Sequence, residues 1–158
     1  MLSLADNLVS PIKGDLPVKS EYNPLFSMTG RILIAVLFLP AGFSKLMNFE
    51  GTKQFVASTG LSFPELYVVA AIAIELIAGA LLLIGLRTQA AAAFLALFTF
   101  VASMLFHPFW AVPADQQFVQ QLMFFKNIAI VGALMMIASL GGGAWSADAR
   151  IASRAAQS

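Results

Sequence analysis

Cysteine is absent from the 158-residue chain, and histidine occurs once, at His107. Without cysteine, thiol–disulfide exchange, iron–sulfur ligation and thiolate zinc sites are excluded within the chain. A single histidine likewise excludes a haem held by two histidines of one polypeptide. No metal site is expected, and any electrons must travel on a diffusible molecule or on a partner. Charge is also scarce: 11% of residues are ionisable as Asp, Glu, Lys or Arg, the net charge is +1, and no basic run marks a nucleic-acid surface. A soluble domain carries about a quarter charged residues.

Apolar residues fill the gap, at 59% of the chain and a mean hydropathy of +0.85. A chain this short exposes much of its surface, so a large soluble core cannot absorb that excess. Lipid must be part of its solvent. The expected fold is all-α, an integral membrane four-helix bundle with up-down antiparallel topology. Spans are predicted over about 28–49, 65–86, 88–106 and 118–140, each long enough to cross roughly 30 Å of hydrocarbon. A bilayer makes each helical, because unpaired backbone groups are not tolerated in lipid. Gly60 and Pro64 punctuate the first connection, "GLRT" the second, "HPFWAVP" the third, and "GGGAW" closes the last span. Pro40 lies inside the first span as a candidate kink.

Residues 1–27 hold charges and three prolines but no uninterrupted apolar run, so they do not read as a cleaved signal peptide. Leu2, Ala5, Leu8, Val9 and Ile12 share a helical face, which suits either a surface-lying amphipathic segment or a plain tail. Residues 141–158 form a second short tail. Lys13, Lys19, Arg31, Arg87, Arg150 and Arg154 fall on one side of the spans, against Lys45 and Lys53 on the other. Both termini are therefore expected to be cytoplasmic.

Several polar residues sit within or at the ends of these spans. Lys45 lies near the outer end of the first, and His107 closes the third. Glu75 is ten residues past Glu65 and Lys126 eight past Phe118, roughly 15 and 12 Å of helical rise. Asn127 follows directly. Small residues accompany them: Ala71 and Gly79 beside Glu75, Gly42 beside Lys45, and Ala129 and Ala133 beside Lys126. Such stripes let helices approach closely and seat polar groups inside a bundle. Lys126 is on this basis expected to pair with Glu75. The pair reads either as a register device between helices or as part of a site. His107 reads as a helix end or as a titratable member of that site, and Lys45 and Arg31 as anchors snorkelling to headgroups or, for Lys45, as a ligand-binding group.

Arg31 and "AGFSKLMNF", then "ELIAGALLLIGLRTQAAA", "HPFW" and "FFKNIAIVGALMM", resemble in order the motifs of the DoxX family of small bacterial membrane proteins. The resemblance covers residues 28–140 and implies a four-helix protein of the bacterial inner membrane. Its motif positions fall at Arg31, Gly42, Lys45, Glu75, Gly79, Gly85, Arg87, His107, Lys126 and Asn127. It also implies a link to quinone and sulfur-compound oxidoreduction.

Three functions follow from these residues. The first is a redox-associated membrane subunit that binds a quinone-like molecule through Lys45, Glu75, His107, Lys126 and Asn127 and works with an electron-carrying protein partner. The second is a scaffold or accessory protein with no ligand of its own that holds a soluble or membrane partner at the bilayer, in which the Glu75–Lys126 pair is structural; a protein partner or a homo-oligomer is expected. The third is a small transporter for an anion or lipid headgroup, suggested by the excess positive charge of Lys45 and Lys126 over Glu75. No self-contained catalytic constellation is present, so enzymatic activity of the chain alone does not follow.

Overall fold

The computed structural model describes residues 23–157. The amphipathic reading of Leu2 to Ile12 and the basic Lys13 and Lys19 lie outside them. Four long helices dominate: α1 (Pro24–Met47), α3 (Pro64–Ile84), α4 (Thr88–Phe106) and α5 (Ala114–Leu140), with α2 (Phe49–Ser58) and α6 (Ala147–Ala155) short. At about 1.5 Å per residue the long helices measure about 28–40 Å, enough to cross a bilayer. No strand occurs among the described residues. The two short helices occupy stretches of low hydropathy that the sequence treats as a connection and a tail.

Successive long helices run antiparallel. α1 packs on α3, α3 on α4, and α4 on α5, the last pair making the most extensive contact. The core lies where all four meet, around Phe38, Ala78, Leu82, Leu95 and Leu134, with Ala91, Ala92 and Ala96 giving α4 a flat, closely approached face. Outward faces carry exposed Leu33, Phe94, Leu97 and Met135, the surface expected of a lipid solvent. α5 is the most peripheral helix: within its apolar stretch only 6% of residues are buried.

One end of the bundle is closed by a polar knot. Arg31 was expected at a headgroup, but it is 1% exposed. Its guanidinium donates to the carbonyls of Leu82 at 3.1 Å, Leu83 at 3.2 Å and Trp145 at 2.9 Å. The first two lie in the last turn of α3, where a helix C-terminus runs short of intrahelical donors; Leu82 O also accepts from Gly85 N at 3.2 Å. Arg31 thus neutralises a helix end instead of reaching water. Gly85 sits against it at φ +71°. A Cβ there would lie 2.5 Å from Arg31 Nη1 and 2.7 Å from Ser146 Cβ, so glycine is needed for both the turn and the space.

Arg87, φ +47°, precedes α4 as its N-cap and offers no side-chain cap. Asp148 from α6 supplies one: its carboxylate accepts from Arg87 N at 2.7 Å, Thr88 N at 2.9 Å and Thr88 Oγ1 at 2.8 Å. Burial pushes the Asp148 carboxyl up, but these hydrogen bonds and the charge of Arg31 outweigh it, leaving its pKa below the ordinary carboxylate value. Its contribution to stability is therefore fully present above the unfolded pKa of about 3.9 and is lost as pH falls through the lower folded value. Asp148→Asn is expected to loosen α6 at neutral pH. It should also abolish the acid-dependent release of α6, which hydrogen exchange of residues 147–155 in detergent can follow.

Candidate functional site

At the opposite end, α1 and α3 converge on one ion pair. Lys45 Nζ, in the last turn of α1, donates to both Glu75 Oε1 and Oε2 at 2.8 Å. The Glu75 side chain is 6% exposed and that of Lys45 30%, so the carboxylate is buried while the amine borders an opening. Gly42 makes this approach possible: a Cβ at that position would stand 3.0 Å from Glu75 Cβ and from two atoms of Leu76. Glu75 lies in a π turn of α3, Ile74–Ala78, where the widened coil turns its side chain toward α1.

The expected Glu75–Lys126 pair does not form. Lys126 is exposed on α5, and its Nζ meets Met123 Sδ at 3.3 Å. The reason is angular. Asn127, Ile130, Val131 and Leu134 face the bundle, so Lys126 is rotated about 100° away from that stripe. α5 also packs chiefly along α4 instead of α3, which leaves Glu75 to the nearer lysine. The Ala129–Ala133 stripe that suggested an inward Lys126 runs beside the packed face.

A cavity of about 420 Å³ opens beside the ion pair. Lys45, Glu75, Thr99, His107 and Asn127 are among its polar groups; Phe38, Phe55, Val68, Phe98 and Phe106 are among its apolar walls. Four of the five sequence-derived candidates therefore share one chamber, and Lys126 does not. His107 ends α4 and its Nδ1 lies 2.8 Å from Gln120 Oε1. An amide oxygen accepts, so Nδ1 is the donor in this contact. Thr99 Oγ1 donates to Leu95 O at 2.7 Å, one turn back. Arg31, Gly85 and Arg87 belong to the other end of the bundle, and Gly79 packs on Leu39.

Sequence reasoning missed the wall supplied by α2. Thr52, Phe55 and Val56 line the chamber, and Phe55 stacks on Phe106 with ring centroids 5.8 Å apart. The spacing of Phe49, Thr52, Phe55 and Val56 is that of one helical face, a signal too short to register beside the long spans. Tyr67 also lines the chamber.

The chemistry of this chamber is that of a nearly neutral, hydrogen-bonding end on an apolar slot. With Lys126 outside, the cation of Lys45 is matched by Glu75, and the excess positive charge once attributed to the site is gone. Lys45→Met is expected to leave Glu75 buried without its cation and to cost about 2–4 kcal/mol, less than a fully buried pair because the amine is partly exposed. Glu75→Gln in the same chain should recover most of that loss. Unfolding midpoints of the purified variants in detergent, read as a double-mutant cycle, check both.

Comparisons with known proteins agree with this architecture. The DoxX family model matches residues 26–108. Inner membrane protein YphA of Escherichia coli (strain K12) is 32% identical over 127 residues, covering 80% of this chain and 91% of that one. Inner membrane protein YqjF of the same organism is 35% identical over 121 residues, 77% and 88% of the two chains. A shorter match, 44% identical over 59 residues and covering 37% of this chain and 42% of the relative, is to the Bacillus subtilis (strain 168) protein named "Putative oxidoreductase CatD". No solved structure matches significantly. Four membrane-crossing helices, a family model over more than half the sequence and two near-full-length relatives lead to one conclusion: this chain belongs to the DoxX family and is a multi-pass protein of the inner membrane.

Proposed function

We propose that the chain is the membrane subunit of a redox-associated system and that its chamber binds a quinone-like molecule. The observation that carries this reading is a chamber of about 420 Å³ whose apolar walls end on Lys45, Glu75, His107 and Asn127. Small-molecule sites have volumes of roughly 300–1,000 Å³, mostly apolar with a few converging polar groups. A quinone matches both parts: a flat apolar ring for the aromatic walls, and carbonyl oxygens for donors. Lys45 Nζ and the Asn127 amide supply those donors. The near-neutral balance of Lys45 with Glu75 favours an uncharged ligand over an anionic headgroup. The name of the Bacillus subtilis relative supports the redox reading.

Reduction of a bound quinone to the quinol takes two electrons and two protons. The electrons come from a protein partner, since the chain has no cysteine and one histidine. Glu75 and His107 are the titratable groups placed to pass protons, because both border the chamber and His107 lies at the end of α4. The basic Arg87, Arg150 and Arg154 put both termini on the cytoplasmic side in this reading, with the chamber in the outer half of the bilayer.

The test is mass spectrometry of organic extracts from protein purified in mild detergent. Wild type is expected to retain stoichiometric quinone, and Lys45→Met and His107→Ala to lose most of it. Lys126→Met, outside the chamber, should retain it. No enrichment in the wild type, or full retention by Lys45→Met, would leave a scaffold with a structural ion pair as the better reading.

A further inference from the structure

Several hydrogen-bonding groups of the chamber have already given their protons to the chain. A hydroxyl has one proton to give and a carbonyl oxygen has none, so each such contact fixes which partner donates. Thr99 Oγ1 donates to Leu95 O at 2.7 Å, and Thr52 Oγ1 to Asn48 O at 2.9 Å. Both threonines line the chamber. With their protons committed one turn back along the helix, they offer a ligand only lone pairs.

His107 is committed in the same sense. Its Nδ1 donates to the amide oxygen of Gln120 at 2.8 Å, and Gln120 lies outside the chamber lining that His107 belongs to. The ring edge opposite Nδ1 carries Nε2. In the neutral imidazole that nitrogen is an acceptor. Glu75 adds the carboxylate lone pairs left over from its two bonds with Lys45.

Free donors are fewer. Of the protons on Lys45 Nζ, two go to Glu75 and one is left. The Asn127 amide and the Tyr67 hydroxyl, also in the lining, offer both kinds of group and favour neither kind of ligand. Lone pairs therefore outnumber protons on the walls. A quinone brings carbonyl oxygens and no proton, whereas its quinol brings hydroxyls that donate as well as accept. In a chamber with apolar walls, an acceptor that faces an acceptor is left unsatisfied, which costs more than a hydrogen bond gains.

From this excess of acceptors, we infer that the chamber holds the quinol form of its ligand more tightly than the quinone, with Thr52, Thr99 and His107 Nε2 as acceptors for the hydroxyls. Gln120 is a positioning residue: it keeps Nδ1 protonated and turns the Nε2 edge to the ligand. The inference rests on the proposed quinone site and adds the redox state that the site selects. Each tenfold preference for the quinol raises the potential of the bound couple by about 30 mV, so binding makes the quinone easier to reduce.

Equilibrium dialysis of the full chain in detergent tests this, with a short-chain ubiquinone and its quinol, kept reduced under argon, as probes. Dialysis against detergent alone corrects for partitioning. The quinol is expected to bind roughly tenfold more tightly or better, and its dimethyl ether, which lacks both donors, no better than the quinone. Thr52→Val or Thr99→Val should narrow that ratio by roughly two- to tenfold, the net worth of one hydrogen bond. Equal binding, or tighter binding of the quinone, overturns the inference and leaves the quinone site standing; binding of neither form overturns both. Because His107 is the only histidine, its ring nitrogen-15 shifts report the tautomer directly. Wild type and Gln120→Glu should carry the proton on Nδ1, and Gln120→Leu should shift toward the Nε2–H form. A wild-type ring protonated on Nε2 alone would overturn the role given to Gln120 and His107.

Discussion

A charge in hydrocarbon must be met by an opposite charge or a set of dipoles, and the positions of three basic residues follow from how each meets that requirement. Arg31 meets it with backbone carbonyls of Leu82, Leu83 and Trp145. Lys45 meets it with the carboxylate of Glu75. Lys126, exposed on α5 five residues past Gln121, meets it by extending toward the polar end of that helix. The first solution holds the helices together at one end, the second shapes a chamber at the other, and the third points outward. Arginine suits the first role because its planar fork reaches several carbonyls at once. Lysine suits the second, where a single ammonium sits between both oxygens of one carboxylate.

The two ends divide the work between them. At the Arg31 end, α1, α3, α4 and α6 are fastened by hydrogen bonds to backbone groups, with Gly85 at the centre. At the Lys45 end, α1 and α3 touch through one ion pair, and α2 closes over the space beside it. A bundle stapled at one end and more open at the other can house a ligand without losing its packing. The core of Phe38, Leu82, Leu95 and Leu134 lies between.

Much of this was legible in the chain. Apolar length defined the spans, and the inward placement of Glu75 beside small residues was correct, as was the presence of Lys45, His107 and Asn127 near one another. Azimuth was harder. α5 is apolar nearly all round, so no polar face fixes its rotation. The choice between Lys126 and its neighbour Asn127 then depended on a stripe of alanines, which misled. Arg31 was misread because snorkelling and burial begin from the same position near a helix end. What separates them is whether helix-end carbonyls lie within reach, a tertiary fact. Asp148, in a short polar helix after "GGGAW", caps a helix that starts 60 residues earlier, a pairing local rules do not foresee.

The π turn at Ile74–Ala78 sets the phase between the two ends of α3. Such a turn accommodates one residue more than a regular coil, and each residue in a helix advances the side-chain direction by about 100°. Shortening α3 by one residue here would regularise the helix, yet it would swing Glu75 away from α1 while Gly85 kept its seat on Arg31. Length in this segment is therefore as constrained as residue identity. A homologue lacking the extra residue could keep every motif and still be unable to form the Lys45–Glu75 contact.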